Sequence, residues 1–324
     1  MHKGNASQRG AALLLAMLIV ALVAVLAASA VWQQWRSTTV EVSERGRLQA
    51  NWILAGALDW ARLILAEDAK AGGPDHLSEP WAVPLMEARL TTFLAAERNV
   101  TVDTSNLPED AFLSGRIDDM QGRFNLWNLV KNNELSAPDV AALQRLFAQV
   151  GLSESEAQQL AQQWLRSARA WARPAADPGA APLPRQVNQL GWLGVSASNL
   201  ARISPYITIL PERTAINANT ASSQVLAAAR SGGSMAEAQS VLTYRNRQPF
   251  VNLEALEKVL PTRPQQVELG VASRYFMVQG KLRVGSVTIQ QQALVQRDGG
   301  GYGKILWREI GSFTEDEDSL ARQQ

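Results

Sequence analysis

The 324 residues contain no cysteine, which excludes disulfide scaffolds, thiolate metal sites and cysteine nucleophiles. Histidine is almost as scarce: His2 and His76 are the only two, too few for a histidine-rich metal cluster. Neither sign of charge predominates, with 31 Lys+Arg against 30 Asp+Glu, whereas nucleic-acid binders normally carry a marked basic excess. Proline does not occur before Pro74, so no proline interrupts a helix up to that point. What is plentiful is apolar. Hydrophobic residues make up 46% of the chain, ordinary for a packed core, and the length suggests about two domains.

Catalysis finds little support. His76 lies in a turn-rich loop, and no motif-flanked serine accompanies it. Asp118 and Asp119 are neighbours in a candidate strand, point to opposite faces and so make no general acid–base couple. The ten tryptophans read as core and interface residues before cofactor contacts. The sequence reads as a non-enzyme without catalytic residues.

Residues 1–10 are polar, with Lys3 and Arg9 and no acid. From Ala11 to Trp32 the chain turns apolar, Ser29 being the one polar residue. As a helix that run spans roughly 33 Å, about one bilayer core. Leu, Ile and Val dominate between Leu13 and Leu26, and at about −0.5 kcal/mol each they favour insertion by about 5 kcal/mol. Lys3 and Arg9 hold the N-terminal side in the cytoplasm, so the bulk of the chain faces outward. Three readings fit. One is a plain signal anchor. Another is a secretory signal peptide cut at Ala28-Ser29-Ala30, although the apolar run exceeds the usual h-region. The third is a prepilin-type leader cut between Gly10 and Ala11, which leaves the apolar helix on the mature chain; a Gly ending a short basic leader resembles that motif.

Beyond the apolar run, Leu48, Trp52, Ala55, Leu58, Leu63 and Ala66 stand among charged neighbours, a spacing that predicts an amphipathic helix. An ordinary helix of an exported domain is one reading. The other is a single rod from Ala11 to about Ala69, roughly 88 Å long, lipid-facing first and packed on a globular head later. Gly72-Gly73-Pro74 ends it, and residues 111–118 fit a strand. Ser136 with Pro138, Ser153 with Glu156, Ser234 with Glu237, and Asn252 mark helix starts. Residues 174–184, rich in proline and alanine, read as a loop. After Gly270 the period switches to two: Phe276, Val278, Leu282 and Val284 share a face, as do Val287, Ile289, Ala293 and Val295. A turn at Asp298-Gly299-Gly300-Gly301 precedes a strand at 303–310. The expected fold is α+β: one antiparallel sheet packed on the N-terminal helix, with a large all-α domain inserted between strands.

Several stretches carry a family resemblance. Asp75-His76-Leu77-Ser78-Glu79-Pro80-Trp81-Ala82 precedes the first strand, and Arg116-Ile117-Asp118-Asp119-Met120-Gln121-Gly122-Arg123-Phe124-Asn125-Leu126 enters the helical block. Pro205-Tyr206 to Leu210-Pro211, then Ile216-Asn217-Ala218-Asn219-Thr220-Ala221-Ser222, and finally Ser273-Arg274-Tyr275-Phe276 follow in order. With the basic leader and the long helix, they resemble the minor pseudopilin K family of type II secretion systems. The resemblance implies a pilin-like fold with a leader at 1–10 and a transmembrane segment at 11–32. It places the rest of the helix and the first strands at 33–122 and an inserted helical domain at 123–271, its second half like a helix-hairpin-helix or SAM module. Terminal strands at 272–311 and a disordered acidic tail at 312–324 complete it. It also implies cleavage by prepilin peptidase at Gly10–Ala11, N-methylation of Ala11, and a single-pass inner-membrane protein with a periplasmic head. Leu13, Leu14, Leu15, Leu18, Ile19, Val20, Leu22 and Val23 would serve membrane insertion and assembly. Implied partners are the minor pseudopilins H, I and J and the major pseudopilin, at the tip of a periplasmic pseudopilus.

Two departures matter. Pilin-like subunits usually carry Glu at the fifth mature position; counted from Ala11 that position is Leu15, which suits a subunit with no predecessor, or simply a better anchor. The family often binds calcium through an acidic motif, but the matching stretch here is Gln163-Trp164-Leu165-Arg166-Ser167-Ala168, and calcium wants six to eight oxygen ligands. With Arg166 and Ala168 in place of acids, no cofactor is expected; Asp118, Asp119 and Asn125 read as turn and capping groups before ion ligands. The rival reading is a membrane-anchored helix-hairpin-helix DNA receptor of a competence-like system. Asn217 to Ser222, Leu226, Tyr244-Arg245 and Phe250 resemble that module. Its Gly-hydrophobic-Gly hairpin is replaced by Arg230-Ser231-Gly232-Gly233. Between 212 and 258, Arg213, Arg230, Arg245, Arg247 and Lys258 barely outnumber Glu212, Glu237, Glu254 and Glu257, a poor footprint for phosphate. No nucleic acid is expected.

Overall fold

A computed structural model of the chain describes residues 8–96, 110–260, 267–285, 287–299 and 301–311. The first seven residues of the expected leader and the acidic tail at 312–324 lie outside them. The chain divides into two compact units, Met1–Ala55 and Gly56–Gln324. One continuous helix, α1 (Gln8–Ala71), runs through the boundary. It stops where Gly72 and Gly73 adopt φ of +68° and +119°, a left-handed turn that glycine accepts without a Cβ penalty; the Gly72 amide closes the last turn on the Asp68 carbonyl at 3.1 Å.

In the first unit, Ala11–Thr38 reaches a mean hydropathy of 3.0 over its most apolar 18 residues and is long and apolar enough to cross a membrane. In the second, Leu58, Ala61 and Leu65 of α1 pack with Trp81, Phe276, Val278, Ala293 and Val295. Each large side chain in that cluster contributes on the order of 2 kcal/mol by leaving water. The expected stripe on α1 is met in part. Leu58 and Ala66 are buried as expected, but Leu48, Trp52 and Leu63 are exposed, and Leu54, Ala61 and Leu65 are buried as well. The segment 53–66 is apolar on nearly every side, so a 3.6-residue period has little contrast from which to read a phase.

The sheet has five antiparallel strands in sequential order. These are β1 (Leu85–Arg89), β2 (Ala111–Asp119), β3 (Tyr275–Val284), β4 (Val287–Gln296) and β5 (Lys304–Gly311). After β1 comes a short helix, α2 (Leu90–Ala96). The register sets Asp119 opposite Phe276 and Ala111 opposite Val284. Alternation sends Phe276, Val278, Ala293 and Val295 towards α1, while Tyr275, Met277 and Leu294 on the other face join Met120 and Leu210 of the intervening segment. Both faces of the sheet are therefore covered near this end.

Because β2 and β3 are neighbours, everything between Asp119 and Tyr275 leaves and rejoins the sheet at one narrow neck. The insert contains α3 (Ala137–Gln149), α4 (Glu154–Ala172), α5 (Ala197–Ile203), α6 (Ser223–Ala229), α7 (Met235–Arg245) and α8 (Leu253–Val259). Ser153 with Glu156 and Ser234 with Glu237 form complete capping boxes at α4 and α7, satisfying backbone donors that helix starts leave open. Asn252 caps α8 through the Ala255 amide. Three two-residue ladders punctuate the helices, pairing 124–125 with 207–208, 130–131 with 134–135, and 216–217 with 269–270. The insert has its own core around Leu126, Leu143, Phe147, Trp164, Leu226 and Phe250.

Candidate assembly site: the apolar helix and the neck

Gly10 and Ala11 both lie within α1. Leu13, Leu14, Leu15, Leu18, Ile19, Val20, Leu22 and Val23 are between 51% and 70% exposed, apolar surface that water does not favour and a lipid or protein surface would cover. Leu15 adds no charge to that surface.

The quoted sequence landmarks, far apart along the chain, meet at the neck. Asp119, at the end of β2, is buried. One of its oxygens accepts from the Gln121 amide at 2.8 Å. The other accepts from Asn217 Nδ2 at 3.0 Å, Thr220 Oγ1 at 2.6 Å and Ser273 Oγ at 2.7 Å. Burial pushes its carboxyl up to about 6, against the pull of those donors. Gly122 is glycine for lack of room: a Cβ there would sit 2.8 Å from Thr220 Oγ1 and 3.1 Å from the Thr220 backbone. Asn125 caps Trp127 and donates to the Glu212 carbonyl at 2.7 Å. Asn219 exchanges two hydrogen bonds with the Phe250 backbone. Tyr275 donates to Glu212 at 2.5 Å, and Arg274 pairs with the same carboxylate. The landmark side chains hold the insert on the sheet.

Beside this network lies a carboxylate trio that sequence reasoning did not assemble, Asp68, Asp75 and Glu79, whose oxygens stand within 4.8 Å of one another. The Arg297 guanidinium sits among them, at 2.5 Å from Asp68 and 2.6 Å from Asp75, and lies over the Phe276 ring at 4.8 Å. Asp75 also accepts from the Ser273 amide at 2.6 Å. Glu79 accepts from the Trp81 indole at 2.7 Å and the His76 amide at 2.9 Å. A cation is thus already built in. Burial raises Asp75 despite Arg297, and it carries Glu79 up to about 7. Nothing local in the sequence announces Arg297, which precedes an ordinary turn.

The stretch expected to lack calcium holds an ion pair. Arg166 grips Asp177 with two bonds, at 2.6 and 3.0 Å, and Arg169 donates to the Asn133 carbonyl at 2.8 Å. Guanidiniums and a single carboxylate do not fit a calcium ion, which wants six to eight oxygens. In the helix-hairpin-helix-like part, three of the five basic groups serve the fold. Arg213 bonds the Asn128 and Val130 carbonyls and Asp139. Arg230 is buried and pairs with Glu237 at 3.4 Å, and Arg245 bonds the Ala218 and Ala221 carbonyls. A cleft of about 570 Å³ separates the sheet from the insert near Arg123, Leu200, Met277 and Trp307. Its acids are engaged, Asp118 by Arg116 and Glu309 by Gln292, and among the described residues no nucleophile and base meet there.

Comparison with known proteins agrees with this architecture. Two consecutive family models match, both described as type II secretion system protein K, over residues 122–212 and 216–272. Both models support type II secretion system protein K. Type II secretion system protein K of Pseudomonas aeruginosa is 27% identical, covering 94% of this chain and 93% of that protein. The Klebsiella pneumoniae protein K is 28% identical over 95% and 98%. In fold, the chain matches a chain of the GspK-GspI-GspJ complex from the type 2 secretion system of enterotoxigenic Escherichia coli. The TM-score is 0.62 with 18% identity, covering 84% of this chain and 99% of that one. These likenesses support a pseudopilin of a protein-transport system, and the N-terminal apolar helix fits a single-pass membrane anchor.

Proposed function

We propose that this pseudopilin caps the tip of a periplasmic pseudopilus and helps start its assembly, for export of folded proteins across the outer membrane. Prepilin peptidase cuts Gly10–Ala11, the new amine of Ala11 is methylated, and the subunit waits in the inner membrane with its head in the periplasm. It then joins minor pseudopilins I, J and H through apolar helix contacts, with the major pseudopilin following below. The observation that carries the reading is Leu15. A carboxylate at bilayer depth costs about 3 kcal/mol unless it is paired, and a first subunit has no preceding amine with which to pair one. The insert supports it too, since a bulky body on the sheet would block a further subunit above. The solved relative was crystallised with GspI and GspJ, which favours the same company here. No divalent cation takes part at Arg166–Asp177.

The test is the mass of the mature N-terminus with and without the peptidase. A start at Ala11 that reverts to Met1 without the enzyme, and is blocked by Gly10→Ala, is expected. A start at Val31 would mean a secretory signal peptide and end the assignment, and a polymer containing this chain along its whole length would end the tip role.

A further inference from the structure

Length alone leaves the outer edge of the membrane segment open. Ala11–Thr38 is marked out by its apolar first part, yet as a helix the whole segment is about 40 Å long, more than the roughly 30 Å of a hydrocarbon core. Three residues remove that freedom. Counted from Ala11, Trp32 falls about 31 Å along the helix. No tryptophan precedes it, and Trp35 follows one turn later on the same side. Both rings are exposed, 63% and 67%, although an indole with one N–H and a large apolar face is at home where hydrocarbon meets water. Arg36 is the one ionisable residue between Arg9 and Glu41, and its guanidinium stands over the Trp32 ring at 5.9 Å. Ser29, the one polar residue between Ala11 and Trp32, spends its hydroxyl on the Leu26 carbonyl, so the stretch below the indoles asks little of water, whereas the exposed Gln33 and Gln34 begin the polar side chains at the level of the two rings. Charges of both signs begin only at Glu41, already paired with Arg45 at 3.0 Å.

We propose that Trp32, Trp35 and Arg36 form a girdle seated in the phospholipid headgroup layer on the outer side of the membrane, the indoles at the glycerol level and the guanidinium on lipid phosphate. The girdle fixes how deep α1 rides and resists withdrawal of the helix towards the head. This rests on the membrane-anchored reading above and adds to it a boundary and a lipid contact.

The absence of cysteine makes the test direct. Full-length single-cysteine variants Leu26→Cys, Gln33→Cys, Ser37→Cys and Leu48→Cys are reconstituted alone in vesicles of phosphatidylethanolamine and phosphatidylglycerol and labelled with a membrane-impermeant maleimide. Leu26→Cys should be protected, Leu48→Cys labelled freely, and the change should fall between Gln33→Cys and Ser37→Cys. Adding Trp32→Ala with Trp35→Ala should raise labelling of Gln33→Cys several-fold, and tyrosine at both positions should restore protection. An unmoved boundary in the alanine background overturns the girdle while leaving the anchor intact. So does protection that arises only when the other minor pseudopilins are co-reconstituted, which would make the indoles a protein contact. Equal labelling of Leu26→Cys and Leu48→Cys removes the anchor itself, and the girdle with it.

Discussion

With four donors converging on it, the Asp119 carboxylate is the residue through which the insert is aimed at the sheet. Asp119→Ala leaves Asn217, Thr220, Ser273 and the Gln121 amide without their acceptor. Unsatisfied buried groups cost about 1–3 kcal/mol each, and partial relaxation lets some recover. The expected loss is about 3 kcal/mol in a denaturant titration, with Asp119→Asn losing less because its amide keeps an oxygen for Gln121. The same burial gives a pH dependence. Asp119 is raised from 3.8 to about 6 and Glu79 from 4.5 to about 7 when folded. A raised acid favours the folded state below its unfolded value and loses that contribution as pH climbs through its folded value. The melting temperature should therefore fall between pH 5 and pH 8, and Asp119→Asn should flatten the fall. A rise with pH over that window would contradict the buried-carboxyl account.

At the scale of elements, what could be read beforehand was what is encoded locally. The capping boxes at Ser153–Glu156 and Ser234–Glu237, the alternation of β3 and β4, and the Gly-Gly-Pro stop after α1 are signals within a few residues. β1 and α2 were not legible, because Leu85-Met86-Glu87-Ala88-Arg89 has no alternation of its own and takes its strand form from pairing with β2. The Arg297–Asp68–Asp75 cluster was hidden for a similar reason: Arg297 lies more than 200 residues from both acids, and no periodicity spans that distance. The landmarks that resembled a family proved to be structural residues of the neck, so the resemblance reported an architecture before any geometry was known. One element-level expectation concerns the 173–185 loop, tied to α4 by Arg166 and Asp177. Exposed pairs add little to global stability. Arg166→Ala should therefore leave the melting temperature nearly unchanged yet hasten proteolysis within the loop, and neither calcium nor EDTA should alter the melting temperature of the unmodified chain. A calcium-dependent gain in melting temperature would show a cation site that these residues do not form.

For the molecule as a whole, the separation of the cores decides how it is built. The insert's cluster draws on residues from Phe124 to Val267, while the cluster beneath α1 uses Leu58, Leu65, Trp81, Phe276 and Val295. Among the described residues a smaller cluster of Met120, Leu210, Tyr275, Met277 and Leu294 joins the two. An insert of roughly 150 residues lies within the usual size of an independent domain, and both of its ends lie at the same end of two neighbouring inner strands, where Asp119 faces Phe276. The fragment 120–274 should therefore fold alone, with helical far-ultraviolet dichroism and a single cooperative melt, and Asp119 should matter to its orientation in the full chain but not to its folding. Leu210 and Met120 would then face water, so modest self-association is expected at high concentration. Should the fragment lack a cooperative transition and bind hydrophobic dyes, the sheet would be a template for the insert, and an autonomous body on a short neck would no longer describe this part of the chain.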